Sequence, residues 1–247
     1  MPSSDQVGAR TAVVIVAAGL STRMQREDAP PAGSKAMLEL SGRSVLEHCA
    51  AAFDAAPSVV ELVLVVRASE REAVERLCAE RAAFAKVRAV VLGGETRAQS
   101  VANGVRWCAY ELPLIAVHDA ARPLVDPAAI ERATALAAEK GAALVALPVR
   151  DTLKRAPDGT SARETVDRRE LWAAQTPQVF EARILRRVLA QAAEEGFEAT
   201  DEASVWERYV GPVPLVAGTS SNFKITTPDD LELAQAVLEA RARRRTP

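Results

Sequence analysis

The chain has 247 residues, 49% of them hydrophobic and 26% charged, which is enough apolar material for one large α/β domain or two small ones. Its 31 basic and 33 acidic side chains leave a formal net charge of −2, which argues against a protein whose main task is coating nucleic acid, since that needs a basic surface. No apolar run approaches the roughly 20 residues that span a bilayer, and Met1–Arg10 is polar and lacks the apolar stretch of a signal peptide.

Thr11–Ala18 (TAVVIVAA) is a nearly unbroken β-branched run, the pattern of a strand buried on both faces. Helical spacing follows over Ser44–Ala55, then a strand over Val59–Val66, a helix over Ser69–Phe84 and a strand over Val87–Leu92. Next come a helix over Arg97–Tyr110, a strand over Pro113–His118, a helix over Pro127–Lys140 and a strand over Ala142–Pro148. Alternation at these lengths predicts a mostly parallel sheet with helices on both faces. Such sheets bind ligands beyond the carboxyl ends of their strands. The loops after Ala18, Leu92 and His118 are therefore where chemistry is expected.

The pattern changes after Pro148. Pro148–Ala156 and Arg163–Trp172 alternate polar and apolar residues around Pro157-Asp158-Gly159, which reads as a polar hairpin. A lone two-stranded hairpin is marginal in water, so residues 148–172 are either a mobile surface hairpin or an arm leaning on a second copy of the chain. Helices over Glu181–Glu195 and Asp201–Tyr209, a strand over Val213–Ala217 and a helix over Pro228–Arg244 complete the reading, as a single domain over 11–244. Met1–Arg10, the loop Gln25–Ser34 and the tail after Arg244 are expected to be disordered. The arginines of that last helix read as a solvated terminus, where basic charge suits the dipole. Cys49, Cys78 and Cys108 contain no CxxC pair, and this scattered, odd set fits free thiols in a reducing cytoplasm.

Ala17-Ala18-Gly19 follows the first strand, where small residues let backbone N–H groups approach a phosphate chain. Arg23 and Lys35 come next, with neither a Walker A loop nor a GxGxxG fingerprint. Gly93-Gly94-Glu95-Thr96-Arg97-Ala98-Gln99-Ser100 again joins a strand to a helix. Its glycines suit close contact with a planar base, while Thr96 or Glu95 also suits plain helix capping. In His118-Asp119-Ala120-Ala121-Arg122-Pro123, a carboxylate and a guanidinium face one crevice at a strand end. His118 and His48 read as structural. Ala174-Gln175-Thr176-Pro177-Gln178 and Ser221–Thr226 complete the candidates. Lys224 stands between apolar neighbours in a strand-like stretch, placed to snorkel or to meet an anion.

These motifs, together with PVRDTLKR, TVDRRELWAAQTPQ, TDEAS and NFKITTPDDL, occur in this order and spacing in 2-C-methyl-D-erythritol 4-phosphate cytidylyltransferases of the non-mevalonate isoprenoid pathway, which the chain resembles from about Thr11 to Ala240. The resemblance implies a Rossmann-like nucleotidyltransferase fold with a protruding β-hairpin arm, working as a homodimer in which each arm reaches over the partner's site. It implies CTP and a polyol phosphate as substrates and Mg²⁺ held mainly by the CTP phosphates, with no metal site built from protein side chains. Carried over by position, Ala17, Ala18, Gly19, Gly94, Glu95 and Ser100 surround the cytidine. Arg23 and Lys35 stabilise the triphosphate. Thr176 and Lys224 meet the methylerythritol phosphate with Asp119 and Arg122 nearby, and Thr152 and Arg168 arrive on the partner's arm. Val16, Ser21 and Ser34 stand where the family usually has proline, glycine and proline.

The implied reaction brings a phosphate monoester oxygen against the α-phosphorus of CTP. Both groups are anions, so cations must gather, and no strong base is needed because the attacking oxygen is already deprotonated. Ribitol 5-phosphate is the nearest alternative substrate. A nucleotide-binding module without catalysis is the alternative of another class, and a dinucleotide-dependent dehydrogenase lacks its glycine fingerprint.

Overall fold

The first apolar run forms β1 (Thr11–Val16), in a computed structural model that describes residues 9–19 and 34–245. A short 3₁₀ turn at Lys35–Met37 leads to a small ribbon of β2 (Glu39–Leu40) and β3 (Arg43–Ser44). Helix α1 (Val45–Asp54) starts where the Ser44 hydroxyl accepts from the Glu47 N–H at 3.1 Å. Strand β4 (Val59–Val66), helix α2 (Arg71–Glu80), strand β5 (Val87–Leu92) and helix α3 (Arg97–Trp107) follow. Helix α2 is flanked by 3₁₀ turns at Ala68–Glu70 and Ala82–Phe84, which together fill the span predicted as one helix. Next are β6 (Leu114–Asp119), α4 (Pro127–Lys140) and β7 (Ala142–Pro148). Asp126 and Pro127 start α4, and Gly141 ends it at a φ of 86°, a conformation that strains residues bearing a Cβ.

The polar hairpin is present but short: β8 (Leu153–Arg155) pairs antiparallel with β9 (Glu164–Val166) over three rungs, less than the expected lengths of each arm. The larger correction is β10 (Trp172–Glu181), ten residues of which only the first, at the end of the predicted hairpin, fell in a predicted strand. It runs antiparallel between β6 and β7, and its register against β7 shifts between Ala174 and Gln178. Helices α5 (Ala182–Glu194) and α6 (Glu202–Tyr209), strand β11 (Leu215–Ala217) and helix α7 (Pro228–Arg245) end the chain. The segment around Lys224, expected to be strand-like, is irregular: Ile225 donates to the Ala121 carbonyl at 2.8 Å, but no ladder forms there.

Among the described residues, seven strands form one sheet in the order β11-β7-β10-β6-β1-β4-β5, parallel except at β10. Alternation along β1 divides the core. Val13 and Ile15 pack with Leu46 and Phe53 of α1 and Ile130 of α4, while Ala12 and Val14 pack with Val101 and Val105 of α3. Each fully buried Val, Leu, Ile or Phe contributes about 1.5–3 kcal/mol relative to exposure. A third cluster joins Leu40, Val45, Leu124, Ile225 and Ala234, tying α7 and the Lys224 segment to the body. The chain runs outward from β1 to β4 and β5, then returns to place β6 on the other side of β1. That reversal leaves a crevice at the strand ends.

Candidate active site

A cleft of about 600 Å³ opens beyond the carboxyl ends of β1, β4, β5 and β6. Of the expected site residues it gathers Ala17, Ala18, Gly19, Lys35, Gly94, Glu95, Ser100, Asp119 and Lys224 along its lining. Arg122, Thr152, Arg168 and Thr176 do not line it. Arg23 and most of the Gln25–Ser34 loop lie outside the described residues.

The loop after β5 is built by close packing. A Cβ on Gly93 would collide with the Cβ of Ala18 and come within 2.9 Å of Ser100 Oγ, so this glycine lets the two cleft loops touch. Thr96 caps α3: its hydroxyl accepts from the Gln99 N–H at 3.1 Å, and the Gln99 side chain accepts from the N–H groups of Glu95 and Thr96 at 2.8 and 3.3 Å. Ser100 Oγ accepts from the Gly94 N–H at 3.0 Å and donates to the Thr96 carbonyl at 2.9 Å. The capping reading and the binding-loop reading are thus compatible, because the cap is what shapes the loop.

The charged centre is Asp119, at the end of β6. Its Oδ2 is 2.7 Å from Lys224 Nζ, and its Oδ1 is 3.3 and 3.2 Å from Arg97 Nε and Nη2. Burial alone would raise this carboxyl, but Arg97 and Lys224 overcome it and hold the group at about 2, below its usual 3.8. Arg97 also meets Glu202 with both prongs, Nη1–Oε1 at 2.7 Å and Nη2–Oε2 at 3.0 Å. Burial pushes the fully enclosed Glu202 carboxyl upward against the pull of Arg97. Lys35 donates to the carbonyls of Thr226 and Ile225 at 3.1 and 3.4 Å, which brings its ammonium to the same segment that carries Lys224.

Beneath this centre lies His118. Its Nε2 faces the Arg122 carbonyl at 3.1 Å and must donate there, so Nδ1 accepts from the Thr176 hydroxyl at 2.9 Å. Thr176 Oγ1 in turn accepts from the Asp119 N–H at 3.2 Å. Burial drives the imidazole down to about 4, leaving it neutral at pH 7 and agreeing with the structural role read for it. Thr176 is only 4% exposed and its hydroxyl is committed to the Asp119–Arg122 loop, so here it shapes the site from below. Arg122 Nη1 donates to the Asn222 carbonyl at 2.8 Å, linking that loop to the Lys224 segment.

Thr152 and Arg168 are on the exposed hairpin region, where Arg168 donates to the Arg150 carbonyl and Arg155 pairs with Glu164 at 3.0 Å. Two residues of the charged centre were missed as site residues: Arg97, hidden in the GGETRAQS motif, and Glu202, in TDEAS. A charged residue at a helix start is the one local signal they carry, and their partnership spans 105 residues of sequence.

The family description of 2-C-methyl-D-erythritol 4-phosphate cytidylyltransferase matches residues 11–240. A protein of that name from Acidobacterium capsulatum is 42% identical over 239 residues, covering 95% of this chain and all of that one. A bifunctional enzyme from Anaeromyxobacter is 43% identical over 94% of this chain and 58% of its own length. Among solved structures, the Thermus thermophilus 2-C-methyl-D-erythritol 4-phosphate cytidylyltransferase superposes with a TM-score of 0.76 at 35% identity, covering 93% of this chain and 99% of that one. The Anaerococcus prevotii 4-diphosphocytidyl-2C-methyl-D-erythritol synthase reaches a TM-score of 0.79 at 26% identity over 94% and 97%. Fold, motif order and full-length similarity agree: the chain belongs to the 2-C-methyl-D-erythritol 4-phosphate cytidylyltransferase family.

Proposed function

We propose that the chain transfers the cytidylyl group of CTP to 2-C-methyl-D-erythritol 4-phosphate. An oxygen of the acceptor phosphate bonds to the α-phosphorus of CTP, and the bond from that phosphorus to the bridging oxygen breaks. Pyrophosphate leaves, and the product is 4-diphosphocytidyl-2-C-methyl-D-erythritol. The observation that carries this reading is the gathering of Lys35, Arg97 and Lys224 around one cleft in a protein of net charge −2. At about 4 Å and an effective dielectric near 20, each pair of like unit charges costs roughly 4 kcal/mol, so a bimolecular reaction between anions needs such cations. Lys224 is paired with Asp119 through one oxygen and turns to the acceptor phosphate when that arrives. The AAG turn and the Gly93–Ser100 loop take the nucleotide, with Lys35 and Arg23 on its triphosphate.

The cleft suits a Mg²⁺ ion carried on the nucleotide. Asp119 is ionised at neutral pH, and among the described residues no group of three or more His, Cys, Asp or Glu side chains is arranged to hold a metal alone. Asp119 is the residue that would meet such an ion, once Lys224 had turned away from its Oδ2, and the ion would neutralise phosphate charge. We further read the enzyme as a homodimer in which Thr152 and Arg168 on each hairpin reach the partner's acceptor site. The exposed polar hairpin supports this. A cytoplasmic setting fits Cys49, Cys78 and Cys108, all free thiols, and no helix among the described residues is long and apolar enough to cross a membrane. Pyrophosphate release with CTP and each of methylerythritol phosphate and ribitol 5-phosphate tests the reading. Methylerythritol phosphate is expected to give the higher kcat/KM, and a preference for ribitol 5-phosphate would reject the substrate assigned.

A further inference from the structure

We propose that Glu202 and Arg97 form a positioning pair for Lys224, acting through Asp119; this rests on the reading that the cleft binds two phosphorylated substrates. Glu202 opens α6, which is itself fixed in place. Asp201 accepts from the Ser204 N–H at 2.9 Å, and Gln178 of β10 bridges Asp201 Oδ2 at 2.8 Å and the Ala203 N–H at 2.9 Å. The Glu202 carboxylate, with 3% of its side chain exposed, is an immobile anchor that grips the Arg97 guanidinium by two prongs. The remaining edge of the guanidinium takes Asp119 Oδ1, which leaves Oδ2 for Lys224.

This division of the carboxylate has a consequence. An aspartate facing a single lysine would hold it with its full charge and follow it as it moved. Shared with Arg97, Asp119 has less pull on Lys224 and stays in place when the ammonium leaves. The exposures run in the same sense: 3% for the Glu202 side chain, 31% for Arg97 and 43% for Lys224, so freedom increases toward the residue that has to turn. Arg97 also stands one residue after the Thr96 cap, so the loop proposed to receive the nucleotide and the lysine proposed to receive the acceptor share one rigid frame. A lysine at position 97 keeps the charge but not the planar fork that joins two carboxylates.

The test is a double-variant cycle read by pyrophosphate release, with thermal melts to monitor the fold. Arg97→Lys and Glu202→Gln are expected to lower kcat about tenfold while KM for CTP stays within about twofold. Arg97→Met placed in an Asp119→Asn background is expected to lose no more than about twofold beyond Asp119→Asn alone, because both changes break the same link. Should Arg97→Met not fold, Glu202→Gln in the Asp119→Asn background gives the same comparison. Multiplied losses in the double variant, or wild-type kcat in Arg97→Lys, would overturn the positioning role. Wild-type turnover in Lys224→Ala would instead overturn the underlying reading of the cleft, and the proposal with it.

Discussion

The Thr176 hydroxyl donates to His118 Nδ1 at 2.9 Å while accepting from the Asp119 N–H at 3.2 Å, so one buried threonine ties the histidine, whose tautomer the Arg122 carbonyl sets, to the end of β6. Burial beneath the charged cleft keeps the ring neutral, and it resists protonation.

That resistance sets a pH dependence of stability. The folded His118 titrates at about 4 against an ordinary 6.5, so between those values the unfolded chain binds the extra proton. Stability is complete above pH 6.5 and falls on acidification, by on the order of 3 kcal/mol once pH reaches about 4. Urea midpoints measured from pH 7 to 4 are expected to fall less steeply for His118→Gln than for the wild type. Parallel slopes for the two proteins would contradict the assignment.

Asp119 adds a second acid-labile step with the same sign at lower pH. Its folded value of about 2 lies below the usual 3.8, so its ion pairs stabilise fully above about pH 4 and are lost as pH falls toward 2. Asp119→Asn should lower stability at pH 7 and remove this step. If acid unfolding below pH 4 were identical in the variant and the wild type, the ion pairs would carry no such linkage.

Gly93 offers a steric test of the cleft. Gly93→Val places a branched side chain against Ala18 and Ser100, and the two loops have to separate. Overpacking of this kind destabilises by about 1–3 kcal/mol. KM for CTP is expected to rise about tenfold or more, read by initial rates against CTP concentration. An unchanged KM would mean that the contact between the loops does not shape the nucleotide site.

Much of the frame was legible from local pattern. The runs that became β4, β5 and β7 are mostly apolar, broken only by Glu61 in β4 and Arg88 in β5, and α4 carries its own start and stop in Asp126, Pro127 and Gly141, so those bounds were read directly. Strand β10 was not legible, because WAAQTPQVFE has Pro177 and two glutamines where a central strand should be apolar. The fold accommodates them by long-range means. The ladder against β7 is irregular between Ala174 and Gln178, and Gln175 and Gln178 satisfy their amides on Thr219, Asn222, Asp201 and Ala203. The site divided in the same way. Loop motifs pointed to Lys35, Gly94, Asp119 and Lys224, whereas the roles of Arg97 and Glu202 exist only after α3, β6 and α6 have met. The apolar neighbours of Lys224 suggest a strand, but Phe223 and Ile225 pack under α7 instead of entering a sheet.

The proposed sharing of the arm between subunits is testable by mixing. Arg168→Ala spoils the hairpin, Lys224→Ala spoils the cleft, and a dimer containing one of each restores one intact site. With random exchange of subunits, about a quarter of wild-type activity is expected from two inactive proteins. No recovery in subunits shown to exchange would contradict an arm that serves the partner's site.

The central claim is that cleft cations let two phosphate groups react, and Lys224 tests it most directly. Its side chain is 43% exposed and lies outside the packed core, so Lys224→Ala should fold normally. Turnover of CTP with methylerythritol phosphate is expected to fall by about 10²–10³-fold, as when one group that stabilises developing charge is removed. Turnover within twofold of the wild type would contradict the account.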